Sequence, residues 1–232
     1  MSIKSILKKI DIDTDRAIIS NIKSGVNSDI YKIKLNDQKL ILKVYPRKDF
    51  IKRDRLNSEL NFLNLLVSGG FENIPKPLNW DHHDKWLLMT FLEGESIKNI
   101  QPIHYEKLFE FIFNIQSLNS DLNINKIKNA SEAEFTVLNH FVSVSNRVNL
   151  FTEKIELYQY ISDENKVLIK KILNKLKIRM KYIKDFELTV LSDINNQEVI
   201  YSKDKILSQS DIGFHNIFKD QSNNLLFFDF EY

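Results

Sequence analysis

The sequence predicts an α+β protein whose strands come first and whose long helices come second. Three observations predict it. From Ala17 to Phe91 short strand-like segments alternate with clusters of turn residues. Beyond Gly94 apolar residues recur at helical spacing over long stretches. All five glycines, Gly25, Gly69, Gly70, Gly94 and Gly213, fall between these segments rather than inside them.

The first strands are Ala17–Lys23, Asp29–Leu35 and Lys39–Tyr45. They are separated by Ser24-Gly25-Val26-Asn27-Ser28 and Asn36-Asp37-Gln38, residues that accept tight turns, so an antiparallel meander is expected. Leu56, Leu60, Leu63 and Val67 then recur at three and four residues and predict one helix, ended by Ser68-Gly69-Gly70. Pro75 and Pro77 break the chain before two further strands, Leu78–Asp81 and Trp86–Phe91, which complete a five-stranded antiparallel sheet. Helices are predicted at His104–Ser117, Glu132–Asn146, Lys154–Ile161 and Glu164–Asp185. Strand-like pieces close the chain at Ile206–Ser208, Ile217–Lys219 and Leu225–Phe228. The expected division is a strand-rich lobe at 1–93 and a mainly helical lobe at 94–232.

Composition narrows the function. With 43% hydrophobic residues over 232, the chain can bury a core of ordinary size. Lys and Arg total 33 against 31 Asp and Glu, so there is no basic field for nucleic acid or an anionic membrane, and neither is expected as a partner. The absence of cysteine excludes disulfides, thiolate zinc sites and cysteine nucleophiles. No run of about 18 apolar residues occurs, and the short pair Ile6-Leu7 is too little for a signal-peptide core. The expected location is cytoplasmic.

The most specific constellation is Ser208-Gln209-Ser210-Asp211-Ile212-Gly213-Phe214-His215-Asn216, followed by Phe228-Asp229-Phe230-Glu231. An Asp, an Asn five residues on and a second Asp after two short strands reproduce the spacing of kinase-like catalytic loops and metal-binding strands. Phosphoryl transfer needs a carboxylate to orient the attacking hydroxyl and take its proton, and hard oxygen ligands for magnesium. Asp211 suits the first task, Asn216 and Asp229 the second, and Glu231 is a further candidate contact.

These segments resemble the H-G-D-x-x-x-x-N and D-[FI]-[DE] motifs of the aminoglycoside phosphotransferase and choline kinase-like family of small-molecule kinases. The resemblance implies a protein-kinase-like two-lobe fold, ATP and magnesium as cofactors, and transfer of the γ-phosphate to a hydroxyl of a small-molecule acceptor. It extends upstream in order. Ser24, Gly25 and Asn27 correspond to the nucleotide-covering loop, and Lys43 to the lysine that neutralises the α- and β-phosphates. Glu59 corresponds to its helix-borne partner. Thr90, Phe91 and Leu92 resemble the hinge that offers backbone contacts to adenine, and by the same resemblance Ile30, Ile41 and Met89 line the adenine pocket. Glu59 also sits beside the apolar face of its helix, so its carboxylate is expected to point inward and to seek a cation such as Lys43.

The chain departs from the family at two positions: Gln209 stands where the family has histidine, and Ser210 where it has glycine. Glutamine retains a side-chain donor for the backbone, so a retuned loop is expected. His215 is read as structural. Tyr232 follows the metal-binding motif directly, whereas a kinase-like helical lobe continues beyond it, so a truncated chain is expected. With Gln209, this sets up the alternative of a non-catalytic nucleotide-binding module. Asp81-His82-His83-Asp84 is expected to be a solvated turn rather than a metal site. The helix from Glu164 is expected to turn Val167, Ile169, Ile172, Leu173, Leu176, Met180 and Ile183 to a core and its many lysines to solvent.

Overall fold

Alternation along three neighbouring strands builds the first sheet and gives it two different faces. A computed structural model describes residues 2–24, 27–46, 54–118, 127–129, 133–134, 137–193, 206–209 and 211–231, with the backbone alone at 137–138, 184 and 186–193. Strands β1 (Ile18–Ser24), β2 (Asp29–Leu35), β3 (Gln38–Val44), β4 (Pro77–Asp81) and β5 (Trp86–Thr90) form an antiparallel sheet in the order β1-β2-β3-β5-β4. The β2–β3 turn is closed by Asn36 at φ 53°, a conformation that a short polar side chain tolerates. In β3, Leu40 and Leu42 pack with Trp86 and Leu88 into one apolar cluster. Ile41 packs toward the other, with Leu87 and Met89.

Each face is covered by a helix. Helix α2 (Arg55–Ser68) lays Leu56, Leu60, Phe62, Leu63 and Leu66 into the core that contains Leu87 and Met89. The opposite face is covered by α1 (Ile3–Lys9), through Ile6 and Leu7, which are 1% and 0% exposed. The sequence reading placed one helix on this sheet; the second is a finding of the structure. Lys9, in the last turn of α1, pairs with buried Asp84 at 2.6 Å and lies 3.9 Å from Asp81. Asp81 in turn accepts the backbone N–H groups of His83 and Asp84 at 2.8 Å each. The Asp81–Asp84 segment is therefore a hydrogen-bonded turn that anchors α1.

Beyond the sheet, β6 (Glu95–Ser96), β7 (Ile217–Lys219) and β8 (Leu225–Phe227) form a second antiparallel sheet. Helix α3 (Pro102–Gln116) adds Leu108, Phe111 and Ile115 to the same core as α2, and Phe111 stacks on Phe227 at 3.6 Å. Asn73, in the loop after α2, accepts the N–H of Phe227 at 2.9 Å through its backbone carbonyl and donates its side-chain amide to the Leu225 carbonyl at 3.1 Å. These elements belong to one compact unit, Met1–Ser131 with Ile206–Tyr232.

The second unit, Glu132–Lys205, is mainly helical among its described residues. It comprises α4 (Val137–Lys154), a 3-10 turn at Ile155–Leu157 and α5 (Asp163–Asp193). Two sequence expectations are corrected here. The helix expected at Lys154–Ile161 is only that turn, because Tyr158 adopts an extended backbone (ψ 91°) and ends it. On α5 only Leu173 of the expected core side is buried; Ile169 and Met180 are half-buried, and Val167, Ile172, Leu176 and Ile183 are exposed, since one neighbouring helix shields only one stripe. In the first unit, Ile206–Ser208 forms no strand among the described residues; the Leu207 carbonyl instead accepts the side-chain amide of Gln116.

Candidate active site

Lys43 lies on β3, and the pairing register places its neighbours. Ile30 is directly opposite Lys43 on β2, and Ile41 is opposite Met89 on β5, so all four point to the α2 side of the sheet. Lys43 is 3% exposed, and its ammonium is met by three carboxylates, matching its three N–H donors in number. Glu59 Oε2 lies at 2.8 Å, Asp229 Oδ1 at 2.7 Å and Glu231 Oε2 at 3.1 Å. The last contact is at ion-pair distance but off-line for a hydrogen bond. Burial opposes the charge on Lys43, yet the three carboxylates outweigh it and hold its pKa far above the ordinary lysine value. Glu59, Asp229 and Glu231 lie close enough to one another to hold a cation, and the Lys43 ammonium contacts all three.

Two residues that sequence reasoning missed complete this centre. Tyr45 continues the Ile41, Lys43 alternation and donates its hydroxyl to Glu59 Oε2, while its ring lies 5.6 Å from Lys43 Nζ. Arg55, four residues before Glu59 on α2, brings Nη1 to 3.5 Å from Glu231 Oε1. Period-two spacing from Lys43 and the i, i+4 relation to Glu59 were the available signals.

Asp211 and Asn216 are brought together by a tight loop. The N–H of Asn216 donates to the Gly213 carbonyl at 2.9 Å, closing a 3-10 turn at Phe214–Asn216, and Phe214 packs edge-on against Tyr105 at the start of α3. The side-chain amide of Asn216 donates to the Asp211 carbonyl at 3.0 Å and lies 3.4 Å from Asp211 Oδ2. His215 Nε2 is 3.3 Å from the same oxygen. The loop is joined to the Asp229 segment at two points. The N–H of Phe228 donates to the Asn216 carbonyl at 3.2 Å, and the Gln209 amide donates to the carbonyls of Phe228 at 2.7 Å and Asp229 at 3.2 Å. Asp229 itself sits at φ 67°, a left-handed backbone that a non-glycine residue keeps only when its surroundings fix it.

The hinge and loop residues are placed less completely. Thr90 donates its N–H to the Lys76 carbonyl at 3.0 Å, so that donor is committed, while Phe91 lies 4.3 Å under the Lys32 ammonium and Leu92 is half-buried. Ser24 ends β1 and accepts the Asn21 amide at 2.9 Å; Asn27 is half-buried; Gly25 lies outside the described residues. A groove of about 630 Å³ opens at the start of α3, lined by Glu95, Lys98, Lys107 and Lys219 among others, and none of the predicted site residues borders it.

The donor set fits a divalent cation in chemistry. Asn216 turns its amide nitrogen to Asp211, which leaves Oδ1 as an acceptor, and Asp229 uses Oδ1 for Lys43, which leaves Oδ2. Both are the hard oxygens that magnesium prefers.

Solved structures of low sequence identity share this fold. Ethanolamine kinase from Plasmodium vivax aligns at 17% identity with a TM-score of 0.53, over 97% of this chain and 58% of that one. Spectinomycin phosphotransferase, solved with ADP and spectinomycin, aligns at 14% identity and 0.61, over 100% and 69%. Choline kinase from Cryptosporidium parvum aligns at 16% identity and 0.54, over 98% and 63%. The chain thus spans less than two thirds of the first of these proteins. No curated protein matches it by sequence. The sequence pattern of the phosphotransferase enzyme family matches residues 18–140, a stretch that contains Lys43 and Glu59 and more than half of the chain. With that match and a protein-kinase-like α+β fold, the chain belongs to the phosphotransferase enzyme family, as the Lys43, Asp211 and Asp229 motifs led us to expect.

Proposed function

We propose that this chain is the nucleotide-binding and catalytic part of an ATP-dependent phosphotransferase that moves the γ-phosphate to a hydroxyl of a small molecule. The observation that carries this reading is buried Lys43, held between Glu59 of α2 and Asp229, with Asn216 bonded both to Phe228 beside Asp229 and to Asp211. Family membership and the kinases of like fold support it. Lys43 binds the α- and β-phosphates, with Glu59 and Tyr45 fixing its position. Ile30, Ile41 and Met89 line the base pocket, Phe91 and Leu92 offer backbone contacts at the hinge, and the loop of Ser24, Gly25 and Asn27 covers the phosphates.

Magnesium, when bound, neutralises charge on the phosphates, and Asn216 and Asp229 are the residues that would hold it. Asp211 takes the proton of the acceptor hydroxyl while that oxygen bonds to the γ-phosphorus. The bond from that phosphorus to the bridging oxygen breaks, leaving a phosphate ester and ADP. Supporting this role, the Asp211 side chain is 49% exposed, and its partners His215 and Asn216 both meet Oδ2, so no donor among the described residues meets Oδ1. The division into lobes 1–93 and 94–232 and a cytoplasmic location belong to the same proposal; no helix among the described residues is long and apolar enough to cross a membrane.

A second reading, a nucleotide-binding module without turnover, is favoured by Gln209 in place of the family's histidine. One experiment separates the two: magnesium-dependent ATP binding, and ADP release over a panel of hydroxylated small molecules including aminoglycosides and choline. Acceptor-stimulated ADP release that Asp211→Asn removes supports the enzyme. Binding without release on any acceptor supports the module, and no magnesium-dependent ATP binding contradicts both.

A further inference from the structure

Arg55 is an unexpected residue where it stands. It opens α2, where the helix dipole disfavours a cation and where the first turn carries no acidic residue, and it is only 7% exposed. A buried cation at a helix N-terminus is unfavourable on both counts, so its surroundings must stabilise it. Glu231 does so: one carboxylate oxygen faces Arg55 at 3.5 Å and the other faces Lys43 at 3.1 Å, with Glu231 2% exposed.

Helix α2 also holds the neighbouring residue. Phe62, two turns beyond Arg55, stacks on Phe230 at 5.6 Å and 20°. The segment Asp229-Phe230-Glu231 is therefore held by α2 at two successive positions and by Gln209 at its start. Asp229 lies at the head of this segment in its left-handed conformation. Of the two α2 anchors, the aromatic one holds Phe230 and the charged one holds the Glu231 carboxylate.

We propose that Arg55 is a positioning residue of the phosphoryl-transfer site: by holding Glu231 it keeps Asp229 in the backbone conformation that presents its carboxylate to magnesium. This rests on the reading of Asp229 as a magnesium ligand. Arg55 meets Glu231 rather than the proposed metal ligand Asp229, so its effect belongs in the magnesium dependence of nucleotide binding rather than in the binding of nucleotide alone.

The test is calorimetric titration of ATP, with and without magnesium, into the wild type, Arg55→Gln, Arg55→Lys, Glu231→Gln and the Arg55→Gln/Glu231→Gln double variant, with a thermal melt of each. The gain in ATP affinity that magnesium confers is expected to fall about tenfold in Arg55→Gln, as loss of an outer-shell partner does. Arg55→Lys is expected to recover part of that gain. The double variant is expected to be no worse than Arg55→Gln, because the two residues act as one unit. A folded Arg55→Gln with an unchanged magnesium gain overturns the inference, as does a double variant whose losses add. If Arg55→Gln does not fold, an unchanged gain in both Arg55→Lys and Glu231→Gln overturns it. A wild type without magnesium-dependent ATP binding removes the underlying reading and this inference together, whereas a binding wild type matched by Arg55→Gln removes the inference alone.

Discussion

The two halves of the candidate site are built on opposite principles. Around Lys43 the side chains of Lys43, Glu59 and Glu231 are 3%, 2% and 1% exposed, and two of the three ammonium contacts are shorter than 3 Å. Around Asp211 the carboxylate and the His215 ring are 49% and 64% exposed, and their mutual contact is 3.3 Å. Burial strengthens the first set of interactions by excluding water, and makes each partner costly to remove. Exposure leaves the second set weak and open. On the proposed function the nucleotide-binding half is organised by the protein's own charges, while the proton-accepting half is left for the substrate to complete.

Breaking the exposed half should affect turnover and nothing else. Asp211→Asn is expected to lower turnover ~10²–10⁴-fold, with a melting temperature and ATP affinity close to wild type, measured by ADP release, thermal denaturation and titration. Breaking the buried half should affect folding as well. Lys43→Met leaves three carboxylates without their shared cation and is expected to destabilise the fold by ~3–5 kcal/mol, read from urea denaturation. A Lys43→Met protein as stable as wild type would erase the contrast.

Smaller changes sharpen the contrast at the junction of the halves. Gln209→Leu strips the carbonyls of Phe228 and Asp229 of their donor and is expected to cost ~1–3 kcal/mol, again by denaturation. Gln209→His, which restores the family residue, should keep turnover at or above the wild-type rate. Tyr45→Phe removes one buried hydroxyl from Glu59 and is expected to cost about 1 kcal/mol in the same assay.

The pH dependence of the buried half has a definite sign. Burial pushes the Glu231 carboxyl above the ordinary glutamate value, and Lys43 only partly offsets this. The folded protein therefore binds this proton more tightly than the unfolded chain, and Glu231 makes the fold less stable as pH rises through the carboxylate range. Glu231→Gln lacks that slope, so its stability relative to wild type should increase with pH across that interval, measured by denaturation at successive pH values. A relative stability that falls with pH would contradict the assigned burial cost.

Much of this contrast was legible in the sequence, and the rest was not for physical reasons. Glu59 could be read because helical spacing sets it beside the face of Leu56, Leu60 and Leu63, and Lys43 by resemblance to the family's lysine; Asp211, Asn216 and Asp229 were singled out by residue type and separation, and the structure joins Asn216 to Asp211 and Asp229 to Lys43. Arg55 could not be read in this way, since a lone cation at the start of a helix is ordinarily solvated and only the return of Glu231 to α2 reveals its burial. Helix α1 carried the spacing Ile3, Ile6, Leu7, Ile10 but spans only seven residues, too few to form by propensity alone. It exists because Leu42, Trp86 and Leu88 on the second face of the sheet need covering. The unit at Glu132–Lys205 misled most, because among its described residues the apolar ones have helical spacing while few of them are buried.

The central claim is that Asp229 holds the nucleotide's metal while Asp211 serves only the acceptor. Titrating ATP and magnesium into Asp211→Asn and Asp229→Ala side by side tests it most directly. The account predicts wild-type, magnesium-dependent binding in Asp211→Asn and loss of that dependence in Asp229→Ala. Equal binding by both variants, or its loss in Asp211→Asn with retention in Asp229→Ala, would contradict it.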